Sequence, residues 1–294
     1  MAWMFKQWRL LAILTLFIIS TVARSEGYVG KRFFPSTIVI ESPFISDKLA
    51  LTYFRTEAPG SNGGDAWTSN PRLQYALRVT KRLQLSINAS YLHVKNPGHP
   101  PANGFNDWQV GAKYNFARIP STESIFSVSL NSTIGGTGSP RVGANSHTTL
   151  SPQLLYAQGF GIYFDAIKFL RPLAIGANVG PNIVTNNYTV TSINWGFAIE
   201  YSFLYLDHFI YQFKIPLINS LVPVIEIPLS TCTQGSCSGQ TTGNVDPGII
   251  YVGRYGQFGI EAIIPINSNT GSKIGGVAQL YLYLDNIFPS LFSS

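Results

Sequence analysis

Between residues 72 and 91 apolar and polar side chains alternate, and one basic tight turn interrupts the pattern. Leu73, Tyr75, Leu77 and Val79 fall on one face, with Arg72, Gln74, Ala76, Arg78 and Thr80 on the other. After Lys81-Arg82 the period restarts as Leu83, Leu85, Ile87, Ala89 and Tyr91 against Gln84, Ser86, Asn88 and Ser90. A period of two is that of a strand whose side chains point alternately to opposite faces. The stretch therefore predicts a hairpin that is greasy on one side and wet on the other. A soluble sandwich shows the same alternation with its apolar face inward, whereas a membrane barrel inverts the faces. Length separates the two, because a tilted strand needs about 9 to 11 residues to cross a bilayer and ordinary strands peak near 5 to 6. Both arms here are of crossing length.

The same pattern recurs along the chain. Trp108, Val110, Ala112, Tyr114 and Phe116 oppose Asp107, Gln109, Gly111, Lys113 and Asn115, and the apolar face carries aromatics at both ends, as two interfacial girdles would. Phe126, Val128 and Leu130 alternate with Ser127, Ser129 and Asn131. Ile193, Trp195, Phe197, Ile199 and Tyr201 alternate with Asn194, Gly196, Ala198 and Glu200. Further crossings are expected over residues 147–157, 173–179, 221–229, 248–255, 257–266 and 277–288, with Pro152 weakening the first of these. A first crossing fits residues 48–56, although Leu49, Leu51 and Tyr53 compete with Ala50 and Phe54 for the apolar face. Gly-, Ser-, Asn- and Pro-rich stretches at 57–70, 95–105 and 135–146 read as loops. The irregular stretches 158–171 and 206–220 read as connections at the inner rim. The count comes to about twelve crossings, an even number. Long loops alternate with generally shorter links, which predicts an all-β, antiparallel transmembrane β-barrel of about 12 strands.

Composition supports an exported membrane protein. Of 294 residues only 12% are charged, against 45% hydrophobic and 13% aromatic. The one long apolar run, residues 10–20, follows Lys6 and Arg9 and precedes small residues, so residues 1–25 read as a cleaved signal peptide. Cleavage after Ser25 would remove three of the 20 basic residues and leave 17 against 14 acidic ones, a charge of +3. That is too weak to suggest a nucleic-acid partner. Membrane lipid and a small-molecule solute are the expected partners. The organisation is then 1–25 signal peptide, 26–47 a periplasmic or lumenal segment, and 48–294 the barrel. Export also favours a disulfide between Cys232 and Cys237 in an outer loop, over a metal pair whose spacing would be unusual.

The candidate functional residues are those that alternation sends inward: Arg72, Gln74, Arg78, Asp107, Gln109, Lys113, Glu200, Glu226 and Glu261. Lipid-facing placement would cost about 2 to 4 kcal/mol for Arg or Lys at mid-bilayer. Their mixed signs argue against a strongly ion-selective pore. A barrel phospholipase would need Ser, His and an orienting polar group together, but His147 and Ser151 lack an acidic partner in their segment. Walker-type and dinucleotide glycine motifs are missing too, so the chain reads as a non-enzyme without cofactor or metal.

Five stretches are recognisable together: KRFFPSTIVIESPFISDKL at 31–49, FLRPLAIG at 169–176, LVPVIEI at 221–227, the hairpin at 247–266, and QLYLYLDNIFP at 279–289. They resemble the outer-membrane transporters of the meta-pathway phenol-degradation family. The resemblance implies a bacterial outer-membrane barrel that admits small, hydrophobic or aromatic solutes. The rival is a structural or adhesion barrel without conduction. One departure is the terminus, where Phe288 is followed by Pro-Ser-Leu-Phe-Ser-Ser instead of closing the chain as an aromatic.

Overall fold

A computed structural model describes residues 27–59, 65–164, 166–212 and 215–292. Two short paired strands, β1 (Tyr28–Val29) and β2 (Arg32–Phe33), come first. The wall follows as β3 (Lys48–Pro59), β4 (Asp65–Thr80) and β5 (Leu83–Lys95), then a flap, β6 (Ala102–Phe105), paired to the end of β5. It continues through β7 (Gln109–Ile119), β8 (Ser124–Thr133), β9 (Thr149–Gly159), β10 (Leu173–Val184) and β11 (Thr189–Tyr201). The last strands are β12 (Leu221–Cys232), β13 (Thr241–Val252), β14 (Gly256–Pro265) and β15 (Gly275–Tyr283). Each wall strand pairs antiparallel with its neighbours, and β15 pairs with β3. Among the described residues the wall is thus a closed barrel of twelve strands. Closure leaves no sheet edge unpaired, the condition for a strand protein to sit in lipid.

The faces are inverted relative to a soluble sandwich. Leu85 is 48% exposed while its neighbour Gln84 is 3% exposed. The competing phase of β3 resolves the same way, with Leu51 and Tyr53 outward and Ala50 and Thr52 buried inside. Leu73, Tyr75, Val110, Tyr114, Val128, Leu130, Trp195 and Ile199 continue the exposed apolar belt.

Both ends of the described chain lie at one rim, here called inner, with the tight links 81–82 and 253–255. The inner links 160–172 and 202–220 are longer and hold short helical turns, including the helix Phe203–Phe209, whose N-cap Ser202 accepts from Tyr205 N at 3.1 Å. Several boundaries differ from the sequence expectation. Of the loop expected over 57–70, residues 57–59 and 65–70 are ladder, with Glu57 paired to Trp67 and Ala58 to Ala66, while 60–64 lie outside the described residues. Polar strand ends that project beyond an apolar belt have loop composition but strand pairing. The last strand stops at Tyr283, where Leu284 N binds Asp47 O at 2.9 Å and short helical turns follow. Pro152 stays within β9, and the β9–β10 ladder is interrupted between Leu154 and Leu150, where proline offers no N–H.

Residues 27–47 fold into the lumen instead of joining the wall. Phe34 and Phe44 pack on Ile125, Ala157 and Ala174, and Ile38 packs on Val222, Val224, Ile250, Ile263 and Val277. Phe33 meets Ala50, Tyr281 and Tyr283. The inner half of the barrel therefore has a true apolar core built between wall and plug.

Candidate functional site: a plugged lumen

The plug is anchored along its length by polar groups of the wall. At its stem Arg32, 1% exposed, pairs with Glu123 at 3.1 Å and donates to the carbonyls of Arg171 and Pro172. Its guanidinium lies over the Tyr205 ring at 4.5 Å. Glu123 holds this position from a left-handed conformation (φ 53°) that ends the 120–122 turn, and it also accepts from Gly161 N at 3.1 Å.

At the tip, Glu226 of β12 accepts three backbone N–H groups. Ile38 N reaches Oε1 at 2.6 Å, and Val39 N and Ile40 N reach Oε2 at 3.0 and 2.6 Å. Using both oxygens in this way is the geometry of an ionised carboxylate, and such charge-assisted bonds are the strong ones. On the facing side Lys113 of β7 pairs with Glu41 at 3.2 Å and donates to Ser42 O at 2.6 Å. Asn131 and Ser129 complete the shell around Glu41 at 2.8 and 3.1 Å. The tip therefore spans from β12 to β7 and β8 across the lumen. Gly259 and Gly196 make room for it: a Cβ at Gly259 would collide with Ile38 Cδ1, and one at Gly196 would lie 3.2 Å from Ile40 Cδ1. The descending arm is held by Ser127 on Pro43 O (2.6 Å), Gln84 on Ser46 N (2.7 Å) and Arg78 on Asp47 (3.1 Å).

Above the tip lies a chamber of about 590 Å³ that extends to Gly243 and Thr270 near the outer rim. Ten carboxamide side chains line it, Gln74, Gln109 and Asn178 among them. Its charged lining, among the described residues, is Lys48, Arg72, Lys113 and Glu41. Below the plug a second cavity of about 230 Å³ is bounded by Phe44, Ile45, Arg78, Lys81, Asn115, Arg118 and Ile125.

The nine inward candidates thus separate by height. Arg72, Gln74, Gln109 and Lys113 face the chamber. Arg78 lies beneath it, tied to Asp47 and, at 3.2 Å, to Phe292 O. Glu200, Glu226 and Glu261 are buried at plug level and below, Glu226 directly across from Asp246 and Glu261 on the next strand opposite Gly248. Neither oxygen of Asp246 or of Glu261 has a hydrogen bond of normal geometry. Asp107 requires a correction, because it precedes β7 and staples the outer loop. Its carboxylate accepts from Thr137 N (3.1 Å), Gly138 N (2.8 Å) and Asn145 N (2.7 Å). The strand's alternation does not reach it, because Asp107 lies two residues beyond the last ladder pair of β7 at Gln109.

Cys232 and Cys237 form a disulfide in the β12–β13 outer loop. Ser151 donates to Asn182 Oδ1 at 2.6 Å, not to a histidine. Sequence reasoning missed Arg32, Glu41, Lys48, Glu123 and Asp246. Arg32 and Glu41 lie in a segment without periodicity, Lys48 and Glu123 at strand starts, and Asp246 beside a proline that hid its strand.

No protein-family model matches the chain, and no curated protein matches it. Solved structures do. The COG4313 outer membrane channel from Pseudomonas putida F1 is 12% identical, with a TM-score of 0.54 over 81% of this chain and 95% of that one. A KdgM porin is 11% identical, with a TM-score of 0.48 over 80% and 98%. LpxR from Salmonella typhimurium is 10% identical, with a TM-score of 0.42 over 80% and 99%. The first likeness is one of fold: this chain has the barrel architecture of an outer-membrane channel.

Proposed function

We propose that this chain is a bacterial outer-membrane channel whose lumen is gated by its own residues 27–47. The carrying observation is a closed barrel with an apolar outer belt and a polar chamber of about 590 Å³, shut on one side by a docked segment. In this reading residues 1–25 are a signal peptide, membrane lipid surrounds residues 48–283, and transport involves no bond chemistry. The four remaining chamber-facing candidates, Arg72, Gln74, Gln109 and Lys113, line the solute path. Arg78, Glu200, Glu226 and Glu261 bear on the plug and the inner core. The family resemblance implies hydrophobic or aromatic solutes, but a carboxamide-rich chamber is better matched to solutes that form hydrogen bonds. A structural barrel is the rival, and the number of plug anchors favours it. Membrane fractionation with heat-modifiable gel migration tests the compartment and the fold. Liposome swelling with sorbitol tests conduction: swelling above empty liposomes supports the channel, and none favours the structural barrel.

A further inference from the structure

Charges of both signs face inward, but they are not mixed. The buried carboxyl groups of Glu200, Glu226, Asp246 and Glu261 do not line the chamber. Of the charges that do, Lys113 and Glu41 balance each other in an ion pair. Lys48 and Arg72 remain. Each has an aromatic face as partner, Lys48 over Tyr281 at 5.0 Å and Arg72 over Phe54 at 5.1 Å. Among the described residues neither is joined to a carboxylate by an ion pair. The chamber thus carries two basic side chains outside any carboxylate ion pair on its β3–β4 side.

A ring centroid at 5 Å attracts a cation only modestly, whereas a cation held in a partly enclosed site is stabilised most by a counter-charge with hydrogen bonds. The rest of the lining supplies the other half of a recognition surface. The half-buried carboxamides of Gln74, Gln109 and Asn244 line the same chamber, and such groups can both donate to and accept from hydroxyl groups. We propose that the chamber binds a small organic anion bearing hydroxyl groups, its charge met by Lys48 and Arg72 and its hydroxyls by these carboxamides. This rests on the reading that solutes enter the chamber, and it narrows their class.

Equilibrium dialysis of the detergent-solubilised full chain tests the proposal without requiring conduction. Three probes share a polyhydroxylated chain and differ in charge: gluconate, sorbitol and N-methylglucamine. Gluconate should bind saturably, one per chain and at least about tenfold more tightly than sorbitol, since a hydrogen bond to a charged group is worth about a tenfold to hundredfold gain. N-methylglucamine should bind most weakly. The Lys48→Gln/Arg72→Gln variant should lose that gluconate advantage and keep its sorbitol affinity. If the double variant lacks heat-modifiable migration, Arg72→Gln alone should lose at least about threefold, half the effect on a logarithmic scale. Gluconate binding no better than sorbitol, or equal binding by wild type and folded variant, overturns the proposal. Failure of liposome swelling with gluconate selectivity intact would instead remove only the channel reading.

Discussion

Replacing Glu226 by Gln keeps the side chain's shape and removes its charge. In the native protein the carboxylate accepts from Ile38, Val39 and Ile40, three consecutive amides at the plug tip. Glutamine keeps one acceptor oxygen and turns an NH₂ toward N–H groups, so at least one bond is lost and the others become neutral. With hydrogen bonds to charged groups worth about 1.5 to 3 kcal/mol each and neutral ones about 1, the tip should lose at least about 2.5 kcal/mol of docking free energy. That is a rise of at least roughly 70-fold in the open population of the tip. Amide hydrogen exchange read by mass spectrometry on the peptide covering 36–42 should accelerate by this factor, while wall peptides of β10 and β11 stay protected. Unchanged exchange at 38–40 in Glu226→Gln would refute the latch.

Other perturbations separate wall, plug and loop. Lys113→Gln removes the facing anchor at Glu41 and Ser42 and should raise exchange over the same peptide by about tenfold or more, measured in the same way. Arg78→Glu should lower resistance to urea unfolding by about 1 to 3 kcal/mol, since it opposes Asp47 where the plug meets β3, while Arg72→Glu should leave stability within about 1 kcal/mol. Ile87→Arg, on the exposed belt, should cost about 2 to 4 kcal/mol in refolding into bilayers, whereas Ser86→Arg, which faces the chamber, should cost less. Replacing both Cys232 and Cys237 by Ser should leave heat-modifiable migration intact. The flanking strands already close that loop through Cys232 N to Gln240 O at 2.9 Å and Gly239 N to Cys232 O at 2.8 Å.

The wall was legible in the sequence because a barrel imposes one rule on every strand. Leu73, Tyr75, Leu77 and Val79 must meet lipid and Gln74 and Ala76 must not, so a period of two carries both the strand and its facing. The plug was not legible for the converse reason. Its backbone amides are satisfied by side chains of distant strands, as Glu226 does for 38–40 and Gln257 for Ser36 N at 3.0 Å, and no local periodicity records such pairings. The inward residues could be identified by alternation, but their height could not. Arg72 and Arg78 stand on one face of one strand, yet the plug puts them in different compartments, one in the chamber and one bound to Asp47. Inward apolar residues such as Val222, Val224 and Ile250 broke the expected polar phase because they pack on Ile38.

The central claim is that residues 27–47 close a conducting barrel, and it is tested most directly by planar-bilayer recording of wild type beside the Glu226→Gln/Lys113→Gln variant. The account predicts rare openings for wild type and a higher open probability with the same single-channel conductance for the variant, because the anchors and not the wall have changed. Identical recordings from the two folded proteins, whether both silent or both open, would contradict it.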